Sequence, residues 1–280
     1  MTDNGNSAAG IAGEVPTIDT TTARVCRVYD WLLGGSANFL VDREAARDAY
    51  AAWSGGVAGV KADARAHREL LGRVVRYLVT DKGIRQFLDL GSGIPKQNNV
   101  HEVAQRVAPE CRIVYVDYDP IAQAHAHRLL RGSVAGATAY LCKDLRDPDT
   151  ILREATATLD FAEPVAVLLF GVLHFFSDAD PAAFGGPYGL VARLVDELAP
   201  GSFLGLSHLA RTPELEATFQ SLNDRMEESV VLRSSDEFER FFDGLRLVEP
   251  GIVELPQWRP EQPDQPVGHA PMWCGVASKP

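Results

Sequence analysis

The sequence predicts an open, doubly wound α/β fold with a seven-stranded sheet, preceded by a layer of helices. Strand-like apolar runs alternate with amphipathic, helix-like segments from residue 84 onward, as in sheets whose parallel strands are joined by crossover helices. Residues 164–176 (PVAVLLFGVLHFF) are almost continuously apolar, which is typical of a strand buried on both faces. The chain has 280 residues, enough for one large hydrophobic core and a small additional layer.

Composition argues against several classes of protein. The formal net charge of −11 opposes binding to nucleic acid, which relies on Lys and Arg to neutralise phosphates. No apolar run reaches the length of about 18 residues that a membrane-spanning helix needs, and the N-terminus lacks the basic and apolar regions of a signal peptide. The four cysteines form no CxxC pair, so we expect reduced thiols, no metal site and a cytoplasmic protein.

The N-terminal part predicts a tail followed by helices. Residues 1–20 are small and polar and predict a disordered tail. Residues 24–50 predict two helices separated by a pair of glycines, and residues 62–79 predict an amphipathic helix. We therefore expect residues 21–80 to form a helical cap or brace on a core made of residues 81–280.

The core segments follow in regular order along the chain. The seven predicted strands cover residues 84–91, 111–120, 137–148, 164–176, 202–209, 245–255 and 272–278. Helix-like segments separate the first five of them, and two more follow the fifth strand. Asn99 and Glu102 form an N-x-x-E pair that resembles a capping box, which predicts a helix start near Val100.

The ends of the first three predicted strands carry the candidate ligand-binding residues, because ligands of open α/β sheets bind at the carboxyl ends of the strands. The first strand ends in a glycine-x-glycine turn that lets a ligand approach the backbone closely. The second and third strands end in acidic residues that could accept hydrogen bonds from a ribose and from an exocyclic amine. These residues are Asp89, Gly91, Ser92 and Gly93, then Asp117, then Asp144 with Leu145.

Pro95 discriminates between cofactors. A dinucleotide-binding loop carries a third glycine near this position and turns a helix N-terminus towards the pyrophosphate. Here Pro95 and residues 96–98 separate the glycines from the helix. The loop therefore favours a nucleoside cofactor without phosphates, such as S-adenosylmethionine (SAM).

The motifs resemble those of class I, Rossmann-like SAM-dependent methyltransferases. The resemblance rests on FLDLGSGIP, VYVDYDP, CKDL and LLFGVLHFF, and it implies an antiparallel strand at the C-terminal end of the sheet. It is closer to one bacterial S-adenosyl methyltransferase family of undefined substrate, through RVYDWLLGGSANFLVDREA, DLGSGIPKQNNVHEVAQ, YVDYDPIAQAHA and LSHL. This closer resemblance spans nearly the whole chain.

The resemblance also implies roles for the residues at the strand ends. Asp89 and the two loop glycines would line the methionine and ribose portions of SAM. Asp117 would hold the ribose hydroxyls, and Tyr118 could flank the adenine. Asp144 and Leu145 would contact the adenine. Phe170 and Gly171 would border the sulfonium.

Further residues are candidates for catalysis and for a cap over the cofactor. Methyl transfer needs an aligned nucleophile and, when the acceptor carries a proton, a general base. His174 and His208, near the ends of the fourth and fifth strands, are the first candidates for the base, and His101 in the loop after the first strand is the next. The glycine break of the first helical segment is rich in groups that could shape an acceptor pocket, namely Tyr29, Asn38, Phe39 and Arg43.

The sequence thus predicts a SAM-dependent methyltransferase that acts on a small-molecule acceptor, with neither nucleic acid nor membrane as partner. Two other functions stay open at this point. One is a regulatory protein that binds SAM without catalysis, since no base is unmistakable. The other is an NAD-dependent oxidoreductase.

Overall fold

The computed structural model describes residues 19–51, 53–96, 98–129, 135–179, 185–223, 229–262 and 270–280. The helices are α1 (Val25–Leu32), α2 (Leu40–Ala49), α3 (Gly56–Thr80), α4 (Val100–Val107), α5 (Pro120–Leu129), α6 (Pro148–Ala155), α7 (Pro187–Asp196), α8 (Pro213–Asn223) and α9 (Ser235–Glu239). The strands are β1 (Gln86–Leu90), β2 (Arg112–Asp117), β3 (Ala137–Cys142), β4 (Ala166–Phe170), β5 (Phe203–Leu209), β6 (Arg246–Leu247), β7 (Val253–Glu254) and β8 (Met272–Ser278). Short 3₁₀ helices cover Leu173–Phe175, Arg240–Phe242 and Leu255–Gln257. The predicted disordered tail lies outside the described residues, apart from its last two positions.

One mixed sheet organises the chain, in the order β3-β2-β1-β4-β5-β8-β6, with β7 also paired to β8. The strands β1 to β5 are parallel, and β8 runs antiparallel to β5, β6 and β7. The chain order reverses between β1 and β4, which is the switch point where such sheets bind ligands. The predicted doubly wound α/β fold and its antiparallel C-terminal strand are confirmed.

The predicted strand count was wrong, because the described residues form eight strands rather than seven. The sixth predicted strand is split into β6 and β7, which pair with the same edge of β8 at Ala277 and Cys274. Pro250 and Gly251 cause the split. Proline has no N–H for a sheet ladder, and Gly251 turns the backbone at φ +84° and donates to the carbonyl of Val248 at 2.8 Å.

The fourth predicted strand is shorter than its apolar run. It ends at Phe170, and Gly171 follows at φ +68°, a left-handed conformation that glycine adopts without steric cost. The next residues form the 3₁₀ helix Leu173–Phe175. This turn brings His174 and Phe175 to the carboxyl end of the sheet instead of extending β4.

The sheet is buried on both faces. Successive residues of β1, Phe87 and Leu88, belong to separate apolar clusters, one packed with α3 and α4 and the other with α6 and α7. The helix α3 begins at Gly56, six positions before its predicted start at residue 62. Its added N-terminal turns contribute Val60 to a third apolar cluster, formed with side chains of α1 and α8.

A buried ion pair holds the N-terminal helices together. The Arg27 Nε atom of α1 lies 3.1 Å from Asp42 Oδ1 of α2, and the two side chains are 1% and 0% exposed. Asp42 also accepts from the backbone N–H of Arg24 and of Phe39. A paired charge with further hydrogen bonds tolerates burial that an isolated charge would not.

Among the described helices, none combines the length and apolarity needed to cross a bilayer.

Candidate functional site

A cavity lies at the carboxyl ends of the parallel strands, covered by the N-terminal helices. Its walls come from the ends of β1, β2 and β4 and from α1, α3 and α8. All ten residues that the sequence places around a cofactor line it: Asp89, Gly91, Ser92, Gly93, Asp117, Tyr118, Asp144, Leu145, Phe170 and Gly171. The structure therefore brings together residues that are up to 82 positions apart in the chain.

The loop after β1 is fastened to the end of β2. Gly91 and Gly93 have φ angles of +72° and +64°, which explains the two glycines. A Cβ on Gly91 would lie 2.5 Å from Val172 Cγ2, so this position also needs the absence of a side chain. The Gly93 N–H donates to Asp117 Oδ2 at 2.7 Å. The Asp117 carboxylate thus orients the glycine loop, and Asp117 itself also lines the cavity.

The insert after Pro95 connects this loop to α1. The Lys96 ammonium forms an ion pair with the buried carboxylate of Asp30, and the Lys96 N–H donates to Asn99 Oδ1 at 3.0 Å. The Asn99 N–H donates to Glu102 Oε2, and α4 begins at Val100 as predicted. The insert therefore fastens the glycine loop to the helical layer.

The two carboxyl groups nearest the glycine loop have perturbed pKa values. Burial raises the pKa of Asp89 to about 7, and the nearby charge of Asp117 adds to this shift, whereas the guanidinium of Arg68 opposes it. Burial also raises the pKa of Asp117, against the hydrogen bonds that it accepts from Gly93 and Asp119. Such perturbed carboxyls in a cavity are typical of ligand-binding sites.

The positions predicted to contact an adenine lie at the rim of the cavity. The strand β3 ends at Cys142, so Asp144 stands in the following loop and not at the strand end that the sequence predicted. Its side chain is 48% exposed and pairs with Arg146. Leu145 is buried beside it, and Tyr118 is 48% exposed.

The two candidate catalytic histidines differ in position. His174 lines the cavity and is 6% exposed, and its Nδ1 has no hydrogen-bond partner among the described residues. Burial holds its pKa well below the usual value, so the imidazole is neutral. His208 is fully buried and does not line the cavity.

His208 belongs to a buried network around Arg233. Its Nδ1 donates to the carbonyl of Leu209 at 2.8 Å, and its Nε2 accepts from Arg233 at 2.5 Å. Arg233 also donates to the carbonyls of Leu173 and Phe176. Both His208 nitrogens are thus engaged, one by the end of β5 and the other by Arg233, which also holds the 3₁₀ turn that carries His174. The structure therefore does not place His208 in the wall of the cavity.

The remaining predicted residues support the site more than they line it. His101 lies outside the cavity wall and binds the Tyr115 hydroxyl through Nδ1 at 2.9 Å. Tyr29 lines the cavity, but Asn38, Phe39 and Arg43 do not. Asn38 donates to Asp30 Oδ2 at 2.6 Å and accepts from Arg43 at 3.3 Å. These contacts reinforce the junction between Asp30 and Lys96.

The cavity has lining residues that the sequence analysis missed. His67 and Arg68 of α3 line it. His67 Nδ1 contacts the Tyr29 hydroxyl at 2.9 Å and Nε2 contacts Ser207 Oγ at 2.7 Å, and burial lowers its pKa to about 3. Trp53 and Phe219 add aromatic walls. A histidine on the apolar face of a predicted helix was the only available signal.

The hydrogen-bond acceptors of the cavity fit a nucleoside better than a pyrophosphate. The strand-end half of the cavity holds the carboxyl groups of Asp89, Asp117, Asp119 and Asp144. These groups can accept hydrogen bonds from hydroxyls, an amine or an ammonium, and they would repel an anion. Among the described residues, no cluster of His, Cys, Asp and Glu is placed to hold a metal ion.

Comparisons with known proteins place the chain among methyltransferases. The model of a family described as S-adenosyl methyltransferase matches residues 12–280. A DUF574 family protein from Streptomyces avermitilis has 38% sequence identity and a TM-score of 0.86, covering 94% of this chain and 99% of its own. A Thermobifida fusca protein, provisionally assigned as a methyltransferase, has 38% identity and a TM-score of 0.83, covering 93% of this chain and 96% of its own.

A more distant comparison concerns the fold alone. Magnesium protoporphyrin IX methyltransferase from Synechocystis has 15% identity and a TM-score of 0.52, covering 86% of this chain and 95% of its own. No curated protein matches the chain. The fold and the family are thereby shown, and the comparisons do not identify an acceptor.

Proposed function

The chain belongs to the S-adenosyl methyltransferase family, and on that premise we propose that it transfers the methyl group of SAM to a small-molecule acceptor held in the same cavity. The cofactor of the family is SAM. One observation carries the proposal: the ten residues expected to bind this cofactor line one continuous cavity, and that cavity extends beyond them into a second, apolar half.

The strand ends supply the proposed cofactor contacts. Asp117 accepts from the ribose hydroxyls, with its position set by the Gly93 N–H. Asp144, Leu145 and Tyr118 contact the adenine at the rim. Asp89 accepts from the ammonium of the methionine portion. Arg68 lies near Asp89 and binds the carboxylate of the methionine portion.

The chain's own contribution to the transfer is alignment and exclusion of water. When bound, SAM supplies an electrophilic methyl group, and an enzyme mainly has to align the acceptor behind it. Gly171 leaves room beside the two histidines of the cavity. A Cβ at this position would lie 3.0 Å from His67 Cε1 and 3.8 Å from His174 Cε1. The neutral His174 imidazole accepts a hydrogen bond, and then a proton, from the acceptor.

A small acceptor agrees with the electrostatics. A net charge of −11 and five carboxyl groups in the cavity oppose the approach of a nucleic acid. The runner-up function is a regulatory protein that binds SAM without turnover. The low pKa of both cavity histidines favours this second reading, because a weakly basic imidazole is a poor general base.

Replacing Asp117 tests the cofactor site. We expect Asp117→Ala to weaken SAM binding at least tenfold in calorimetry, because the ribose loses its acceptor and the Gly93 loop loses its anchor. Asp196→Ala, which removes an exposed carboxylate of α7, is the matched control and should bind SAM like the wild type. Circular dichroism verifies that both variants fold. Unchanged affinity in Asp117→Ala would remove this residue from the site.

A turnover assay separates the two functions. Purified protein, SAM and a low-molecular-weight pool from a cell extract should release S-adenosylhomocysteine above the rate without the pool. Binding of SAM with no release across broad pools would instead favour the regulatory protein. Thermal stabilisation by NAD and not by SAM would overturn the cofactor assignment itself.

A further inference from the structure

We propose that the methyl acceptor is a neutral, largely apolar molecule with an aromatic ring and a hydroxyl group. This inference rests on the proposed function and identifies the class of acceptor. It starts from the half of the cavity that is lined mainly by helical segments, an apolar chamber formed by Leu32, Tyr50, Trp53, Val60, Phe175 and Phe219.

The chamber is a hydrophobic cluster that surrounds open space. Its side chains come from α1, from the α2–α3 connection, from α3, from the turn after β4 and from α8. Apolar side chains normally pack against one another at high density, whereas these six share a cavity. An apolar guest would bury their remaining surface, and this burial drives binding without any specific polar contact.

Charged groups lie mainly at the other end of the cavity. Arg68 stands near Asp89, and Arg146 pairs with Asp144, both at the cofactor end. Arg24 precedes the first turn of α1. The carboxylate beside the chamber, Asp63, accepts from Trp53 Nε1 at 2.9 Å. An anionic guest in the chamber would lose its hydration beside this carboxylate, and a cationic guest would find Asp63 already engaged by Trp53, so both are disfavoured.

The chamber walls favour an aromatic guest over a saturated one. Tyr50, Trp53 and Phe219 contact one another edge to face, with ring centroids 5.5 to 6.5 Å apart. Phe175 lies 4.2 Å from the His174 ring in the same arrangement. Ring faces carry partial negative charge and ring edges partial positive charge. A planar aromatic guest can extend this edge-to-face pattern, and a saturated ring cannot.

The hydroxyl group is inferred from His174. This residue is 94% buried, lines the cavity and has an Nδ1 atom without a partner among the described residues. Buried polar groups are normally hydrogen-bonded, and a guest hydroxyl meets this need. His67, by contrast, already contacts Tyr29 and Ser207.

The reaction balances with this acceptor. The hydroxyl oxygen forms a bond to the methyl carbon while the bond between that carbon and sulfur breaks, and the electron pair of the broken bond stays on sulfur. The hydroxyl proton passes to the His174 imidazole and then to water. The products are a methyl ether and S-adenosylhomocysteine.

Four bicyclic probes of similar size, three naphthalenes and one saturated decalin, test the class of acceptor on the full chain saturated with S-adenosylhomocysteine. In calorimetry, 2-naphthol should bind at least tenfold more tightly than 2-naphthoate, 2-(aminomethyl)naphthalene or decahydro-2-naphthol. Tightest binding of the anion or the cation would overturn the neutral class. Equal affinity for decahydro-2-naphthol would overturn the aromatic one. These comparisons need no variant.

A chamber-filling variant tests the location. Val60→Phe should weaken 2-naphthol binding at least tenfold and leave the affinity for S-adenosylhomocysteine within twofold of wild type. Val107→Phe makes the same substitution at an exposed position of α4 and should change neither affinity. Unchanged 2-naphthol affinity in a folded Val60→Phe protein would overturn the chamber assignment. If the wild type did not bind S-adenosylhomocysteine at all, that result would instead contradict the proposed function.

Discussion

Asp89 is a buried carboxyl group whose contributions to stability and to binding oppose each other. Its side chain is 7% exposed, and its pKa is raised from 3.8 to about 7. Between about pH 4 and pH 7, in the absence of ligand, Asp89 is therefore protonated in the folded protein and ionised in the unfolded chain. The free energy of unfolding falls as the pH rises through this window, because ionised Asp89 is disfavoured in the folded state.

The raised pKa of Asp89 should make the affinity for SAM depend on pH. If ionised Asp89 holds the ammonium group, SAM affinity of the wild type should fall about tenfold from pH 8 to pH 6, because a group of pKa about 7 is ionised at the first pH and protonated at the second. Calorimetry at both pH values, in buffers of equal ionic strength, measures this ratio. Asp89→Asn should bind SAM weakly and with little dependence on pH. A wild-type affinity that is independent of pH would contradict the role of Asp89.

The same variant should stabilise the protein without ligand. Asp89→Asn removes the ionisation that burial disfavours, so at pH 8 its free energy of unfolding should rise, by at most about 4 kcal/mol at about 1.4 kcal/mol per pKa unit. Urea unfolding at pH 8 measures the difference. A destabilised Asp89→Asn protein would show that the ionised carboxyl is stabilised by contacts within the protein.

At the scale of elements, the two glycines after β1 have different reasons to be glycine. Both have positive φ angles, but a Cβ on Gly91 would collide with Val172, whereas a Cβ on Gly93 would meet no atom within 4 Å. The predicted motif does not distinguish them. The structure does, because Val172 reaches the loop from the segment after β4.

Alanine at these positions should therefore differ in cost. Gly93→Ala should lose about 1–2 kcal/mol of stability from backbone strain alone. Gly91→Ala should lose a further amount of about 1–3 kcal/mol, because the added methyl overpacks the contact with Val172. Urea unfolding without ligand compares the two variants. Equal losses would mean that Val172 moves aside at little cost.

The elements could be predicted wherever a local pattern decides them. The strands β1 to β5, the start of α4 at Val100 and the cavity positions of Asp117 and Gly93 follow from apolar runs and the residues that end them. The split of the sixth strand could also have been inferred, since Pro250 and Gly251 stand within it. The early start of α3 could not, because Val60 is buried by residues of α1 and α8.

The rest of the site depends on contacts that are distant in the sequence. His67 reaches Ser207, 140 positions away, and the Ser54 N–H donates to Glu214, 160 positions away. A helical pattern shows that a face is apolar, but not whether it covers core or cavity. His208 was predicted as catalytic from its place near a strand end, and Arg233, 25 positions further on, engages it instead.

At the scale of the whole molecule, the cavity is shared between two layers. Most of the proposed cofactor contacts come from the ends of the sheet strands, and much of the opposite wall comes from α1 and α3. Lys96 and Asp30 link the cofactor loop to α1. The division into a helical cap of residues 21–80 and a core of residues 81–280 stays a prediction, and the cavity takes lining residues from both.

Ligand binding should therefore protect both layers together. At 100 times its dissociation constant, S-adenosylhomocysteine stabilises the bound state by about 2.7 kcal/mol. We expect slower amide hydrogen exchange in α1 as well as in the loop after β1, measured by mass spectrometry. The helix α9, which does not line the cavity, serves as the internal reference for local protection. Protection of the β1 loop with none in α1 would contradict a shared site.

The position of β8 has a consequence for how the chain is made. This strand comes last among the described strands, yet it lies inside the sheet, between β5 and the short strands β6 and β7. During synthesis, β5 therefore has an open edge until Met272–Ser278 has left the ribosome, and open strand edges promote association between chains. Folding of the sheet can finish only after translation of this segment. A nascent chain stalled before Met272 would expose the unpaired edge of β5, which can pair with strands of other chains.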